Sequence, residues 1–145
     1  MIGVSSALRR LRRDRRGVSA VEFAILSPLF FALVFAIVNF GFYFAAANSV
    51  QQLCGDIARA SVAGLDEEER VSIARSYLEA NYRNYVLLKR EYLSLEVADS
   101  EAQPDQFDVR VEYDGAALPT AAWSRLLRRE PPVILGVATV KHGGF

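Results

Sequence analysis

Of the 145 residues one is cysteine (Cys54), one histidine (His142), one tryptophan and one methionine. One thiol cannot close a disulfide within the chain, and one thiol with one imidazole cannot furnish a Cys/His zinc site. A Ser-His-Asp triad would have to draw its histidine from a glycine-rich tail. Most enzyme chemistry falls away with these residues, and no cofactor is implied. Charge is the second scarcity. No Asp, Glu, Lys or Arg occurs between Glu22 and Asp56, and seven of the nine Phe lie between Phe23 and Phe44. Such a stretch excludes a plain soluble globular domain. The formal net charge of zero conceals an asymmetry: Arg9, Arg10, Arg12, Arg13, Arg15 and Arg16 accompany a single Asp14, and the chain after Gly17 is net acidic.

What is present is a long apolar run. In residues 23–47 (FAILSPLFFALVFAIVNFGFYFAAA) only Ser27, Asn39 and Tyr43 are polar. At about 1.5 Å per helical residue the run exceeds the roughly 30 Å hydrocarbon core of a bilayer, and it lacks the polar face of a soluble core helix. A single helix spanning the lipid bilayer is predicted. The arginines crowd its N-terminal flank, which keeps the N-terminus cytoplasmic and sends everything beyond about Ala47 across the membrane. Orientation and anionic headgroups account for RRLRRDRR without a nucleic-acid partner. A secretory signal cut at the A-x-A of Ala45 and Ala47 is the competing reading, against which the apolar run is about twice the usual length.

The junction RRDRRGVSAVEF, residues 12–23, puts Glu22 at the lip of this run. An unpaired charge carried to bilayer depth costs about 2.5 to 3.5 kcal/mol on insertion scales, so a compensating group is expected. Glu22 could stay among headgroups, or face Arg15 seven positions back on the same side of a helix. Alternatively Gly17, which tolerates the extended backbone a protease needs, marks a cleavage point. A cut there would remove every leader arginine and expose a new amine on Val18, able to neutralise Glu22 of an adjacent parallel helix.

Gly17, four small or apolar residues (18–21), then Glu22 and Phe23 ahead of an apolar helix resemble the type IV prepilin processing motif. More narrowly, RRDRRGVSAVEFAILSPLFF resembles the TadE-like pseudopilins of the Flp/Tad tight-adherence pilus system, over about residues 9–63. The resemblance implies that Gly17 ends the leader, Val18 begins the mature chain and Glu22 is its fifth residue. It implies cleavage by a prepilin peptidase of the bacterial inner membrane. Other pilins and pseudopilins and an inner-membrane assembly platform would be further partners, in a pilus for adhesion and surface attachment. Phe23 stands where major Flp pilins usually carry Tyr, and the chain is far longer than theirs, which favours a minor pseudopilin. Without cleavage, the alternative is a single-span inner-membrane anchor presenting a periplasmic binding module.

Pro28 removes the hydrogen bond to the Ala24 carbonyl, and a kink is expected there. Ala32 and Ala36, then Gly41, Ala45 and Ser49, are small residues at four-residue spacing that permit close helix approach, and Asn39 can bond its own backbone or a neighbouring helix. With Glu22 and Pro28 these are the candidate helix-packing residues. Past the membrane, Val50, Leu53, Cys54, Ile57 and Ser61 keep the helical period, with Gly64 as the predicted stop. Asp66 and Glu69 read as the start of a second helix reaching about Asn84, with an apolar stripe of Val71, Ala74, Leu78, Tyr82 and Tyr85. Leu93, Leu95 and Val97, then Phe107, Val109, Val111 and Tyr113, alternate with polar residues and predict an antiparallel pair joined by a loop at 103–105. Residues 119–129 suggest a short helix. Residues 133–140, apolar throughout, predict a third strand at the centre of the sheet or covered on both faces. The five tyrosines 77, 82, 85, 92 and 113 read as packing residues, Arg125, Arg128 and Arg129 as a solvated face, and His142 as an exposed tail residue. The expected fold class is α+β and pilin-like: a basic cytoplasmic leader (1–17), a transmembrane and spine helix (18–63) and a periplasmic head (64–145).

Overall fold

The computed structural model describes residues 15–100, 103–126 and 128–142. The leader arginines Arg9, Arg10, Arg12 and Arg13 lie outside the described residues. Helix α1, Arg15–Ser61, contains 47 residues and runs unbroken through Pro28. Residues 15–17, ahead of the predicted start at 18, are already helical, so Gly17 lies within the helix rather than before it. A glycine weakens a helix interior by about 1 kcal/mol relative to Ala. Two compact units share α1, one ending at Val38 and one beginning at Asn39.

In the second unit α1 buries one face, made of Ala46, Val50, Leu53, Cys54, Ile57, Ala58 and Ser61. This is the predicted stripe with two alanines added. Helix α2, Glu67–Asn81, starts at the predicted cap: Asp66 Oδ1 accepts from the Glu69 amide at 2.8 Å, and Glu69 Oε2 accepts from the Leu65 amide at 2.8 Å. Glu67, Glu68 and Glu69 sit at the positive end of its dipole. A 3-10 turn, Tyr82–Asn84, carries the path to the predicted end. The buried stripe of α2 is Arg70, Ala74 and Leu78, while Val71 is only half-buried. Gly64 does not end α1 through a left-handed cap. Its amide bonds to the Ser61 carbonyl at 3.0 Å, and a Cβ there would stand 2.6 Å from Arg70 Cγ, so the missing side chain makes room for Arg70.

Strands β1 (Leu93–Asp99), β2 (Gln106–Asp114) and β3 (Val133–Lys141) form an antiparallel sheet in the order β1-β2-β3. Leu95 pairs with Val111, and Val111 with Gly136. Phe107, Val109, Val111 and Tyr113 of β2 are fully buried in one core with the α1 stripe and with Ala74 and Leu78 of α2. At Gly136 an added Cβ would lie 3.1 Å from Val50 Cγ1 and 3.2 Å from Cys54 Cβ, which marks the close approach of α1 to the sheet. The centre of the sheet is therefore β2, and the expectation that residues 133–140 lie centrally or covered on both faces is corrected. Val133, Leu135 and Val137 are 61%, 53% and 42% exposed. Both packing helices share the inner face, so alternate residues of β3 are left outside.

The result is an α+β, pilin-like arrangement. Its tyrosines act as packing residues: the buried Tyr113 hydroxyl donates to the Leu87 carbonyl at 2.7 Å and fixes the loop before β1, where Leu87 adopts a φ of 67°. The short helix α3 is Ala121–Leu126. His142, expected to be merely exposed, is partnered: its Nε2 lies 3.5 Å from Asp99 Oδ1, and its amide donates to the Asp105 carbonyl at 2.8 Å.

Candidate processing and helix-packing site

Gly17 and Val18 have helical backbone in the described part of α1. A peptidase that needs an extended substrate would have to unwind the helix at this bond. Glu22 and Phe23 follow one turn later and are both exposed, Phe23 by 71%. The alternative pairing of Glu22 with Arg15 cannot be placed, because the Arg15 side chain lies outside the described part of the chain.

Pro28, Ala32 and Ala36 are exposed and, four apart, share one helical face. Gly41 is exposed as well, with nothing within 4 Å of where a Cβ would stand. Asn39 is half-buried and already partnered, and Ala45 is half-buried. Phe23, Ile25, Leu26, Leu29, Phe30 and Phe40 all present more than half their surface. Among the described residues α1 is the one helix long and apolar enough to cross a membrane, and its apolar stretch is not buried by protein. No group of three or more His, Cys, Asp or Glu side chains among the described residues is placed to hold a metal.

In the head, Asp56 and Tyr85 tie α1 to the segment after α2: the Tyr85 hydroxyl donates to Asp56 Oδ2 at 2.6 Å, and Arg59 also donates to Asp56. The Tyr85 bond, and after it Arg59, hold the Asp56 carboxyl below its ordinary value of 3.8. A carboxyl lowered by folding stabilises the native state above its unfolded pKa, and that contribution is lost as pH falls through the folded value. Tyr85→Phe should therefore destabilise the head by about 1 kcal/mol at pH 7 in a urea titration, with the difference shrinking below pH 3.8. Cys54 is fully buried, its Sγ 3.2 Å from the Val109 carbonyl, and burial pushes the thiol up to about 11. Since the thiolate is the reactive form, maleimide at pH 8 should label the native chain at least a hundredfold more slowly than the unfolded one, an order-of-magnitude figure from the thiolate fraction alone.

Arg70 went unnoticed in the sequence, although its spacing to Ala74 and Leu78 is the same four-residue step. Its side chain is 4% exposed, bonds Asp99 through Nη2 at 2.5 Å, and lies 5.3 Å above the Phe107 ring.

An exposed apolar helix continuing into a small helix-and-sheet head defines a pilin-like protein. Residues 17–59 match the family profile described as TadE-like protein, so this segment of the chain is similar to that family. The matched segment opens at Gly17 and lies wholly within α1. No curated protein and no solved structure matches the chain.

Proposed function

We propose that the protein is a minor pilin or pseudopilin of a Flp/Tad pilus, with a structural role and no catalysis of its own. It is inserted in the bacterial inner membrane with its N-terminus cytoplasmic and its head periplasmic, cut after Gly17 by a prepilin peptidase, and drawn into a fibre by other pilins and the assembly platform. The observation that carries this reading is the coincidence of three features: a TadE-like segment that opens at Gly17, a carboxylate at Glu22, and an exposed apolar helix directly after it. Glu22, Phe23, Pro28, Ala32, Ala36 and Gly41 would then line the helix-packing surface, with Asn39 and Ala45 beside the head. N-terminal sequencing of the protein from its native host tests the proposal. The mature chain should begin at Val18 with the leader gone. A chain that retains Gly17 and the residues before it, in cells with active prepilin peptidase, would leave only a single-span anchor presenting a periplasmic binding module.

A further inference from the structure

The last two turns of the apolar run are also part of the head. Residues 39–47 belong to the unit that holds the sheet, and the sides of the helix there have different surroundings. Ala46 is fully buried and Tyr43 packs on the core, while Phe40 and Phe44 are 65% and 61% exposed. A bilayer crossed by α1 and covering Phe44 with hydrocarbon therefore ends at the level where the head begins.

Three contacts show which part of the head meets that level. Gly136 of β3 approaches Val50 and Cys54, and Cys54 Sγ lies 3.2 Å from the carbonyl of Val109, which pairs with Ala138. Arg70, against Gly64 past the end of α1, covers Phe107, which pairs with Val140. β3 thus runs in the direction of α1. At about 3.3 Å per strand residue and about 1.5 Å per helix residue, the three steps from Gly136 back to Val133 match six or seven residues of α1 and reach the level of Tyr43 to Ala47. The connection from β2 to β3, which carries α3, closes this end of the sheet. It is firmly held: Leu118 is buried, and the Gly115 amide donates to the Pro132 carbonyl at 3.1 Å. After α3, the Arg128 amide donates to the Arg125 carbonyl at 3.1 Å and the Arg129 amide to the Ser124 carbonyl at 2.8 Å, with Arg128 at a left-handed φ of 52°.

This connection presents Trp123, 43% exposed, beside the exposed Arg125, Arg128 and Arg129, which enter no ion pair among the described residues. An indole suits the boundary between acyl chains and water, and a guanidinium matches a lipid phosphate with two parallel bonds. Glu91, Glu112, Asp114 and Glu130 share this end, so net attraction to an anionic surface is not what seats it. The tether is. α1 holds the head at the bilayer at high effective concentration, and a few contacts then suffice.

We propose that this end of the head is a lipid-docking surface, with Trp123 and the Arg128–Arg129 turn seated in the headgroup layer of the bilayer that α1 crosses. The proposal rests on the reading that α1 spans a bilayer and requires no cleavage after Gly17. Trp123 is the one tryptophan of the chain, so the fluorescence of the full, uncleaved protein in phosphatidylcholine vesicles reports this residue. Lipid brominated near the headgroup end of its acyl chains should quench it at least about twofold, and more than lipid brominated near the chain ends, as an interfacial indole requires. Emission unchanged by either lipid, or quenched more by the deep bromine, overturns the proposal. Trp123→Phe combined with Phe35→Trp moves the indole to the middle of the apolar run, where the deep bromine should quench more. Quenching of that variant without quenching of Trp123 fells the docking surface and leaves the span standing, whereas quenching of neither fells the span as well. Arg128→Glu with Arg129→Glu should cut the shallow quenching of Trp123 about twofold with unchanged circular dichroism, and an unaltered value would overturn the arginines as phosphate ligands. A blue shift of Trp123 that appears only as the protein-to-lipid ratio rises would seat a second copy over it and overturn the lipid assignment.

Discussion

Cells producing Glu22→Ala in place of the parent protein should hold normal amounts of the processed chain in the membrane and incorporate none of it into fibres. Removing the carboxylate eases insertion, because a charge near bilayer depth costs about 2.5 to 3.5 kcal/mol. A loss of incorporation could not then be a failure to enter the membrane. If the Val18 amine of one subunit is neutralised by Glu22 of the next, the variant leaves that amine unpaired in an apolar bundle. Breaking a buried pair costs about 3 to 5 kcal/mol, or about two to four orders of magnitude in the association constant. Gly17→Ala should act one step earlier, leaving the leader attached. It gives α1 about 1 kcal/mol more helix preference at the residue that must extend, and it puts a Cβ beside the scissile bond. Intact mass of the membrane fraction and immunodetection of sheared fibres read both variants. Normal incorporation of Glu22→Ala would reduce Glu22 to an interfacial residue, and unchanged processing of Gly17→Ala would count against the cleavage motif.

What the sequence made legible follows from how local the physics is. The α1 stripe from Val50 to Ser61 and the Asp66 cap rest on helical spacing and a single turn of backbone, and both appear as expected. The β1 and β2 alternation was readable for the same reason, since a strand with one wet face writes that face into every second residue. β3 defeats this logic: Val133, Leu135 and Val137 are apolar yet exposed, so composition signalled a covered strand where topology made an edge. Arg70 defeats it in the other direction. A charged residue in an acidic first turn reads as solvated, and only the nearby Gly64 together with Asp99 and Phe107 from distant strands buries it. At the candidate site, residues 17–23 form a contiguous motif that can be read without the fold, whereas the helical backbone of Gly17 depended on how far helix propensity carries toward the N-terminus.

Arg70 also supports the second large effect: Arg70→Ala should destabilise the head by about 2 to 4 kcal/mol, whereas Arg70→Met should stay within about 1 kcal/mol of the parent. The alanine variant removes a stem that fills the space against Gly64 and Phe107 and leaves a cavity in the corner of the core. The methionine variant keeps most of that volume. It also removes a burden, since the buried Arg70 Nε has no hydrogen-bond partner among the described residues and the Nη1 bond to the Gly64 carbonyl is long at 3.4 Å. Asp99, the partner left behind, is 45% exposed in its side chain and lies 3.5 Å from His142, so water and the imidazole can satisfy it. Urea denaturation of the full chain in detergent, followed by near-ultraviolet circular dichroism, gives both values. Equal destabilisation by alanine and methionine would show that the guanidinium's bond to Asp99 and its contact with Phe107, rather than the volume of the stem, fasten α2 to the sheet.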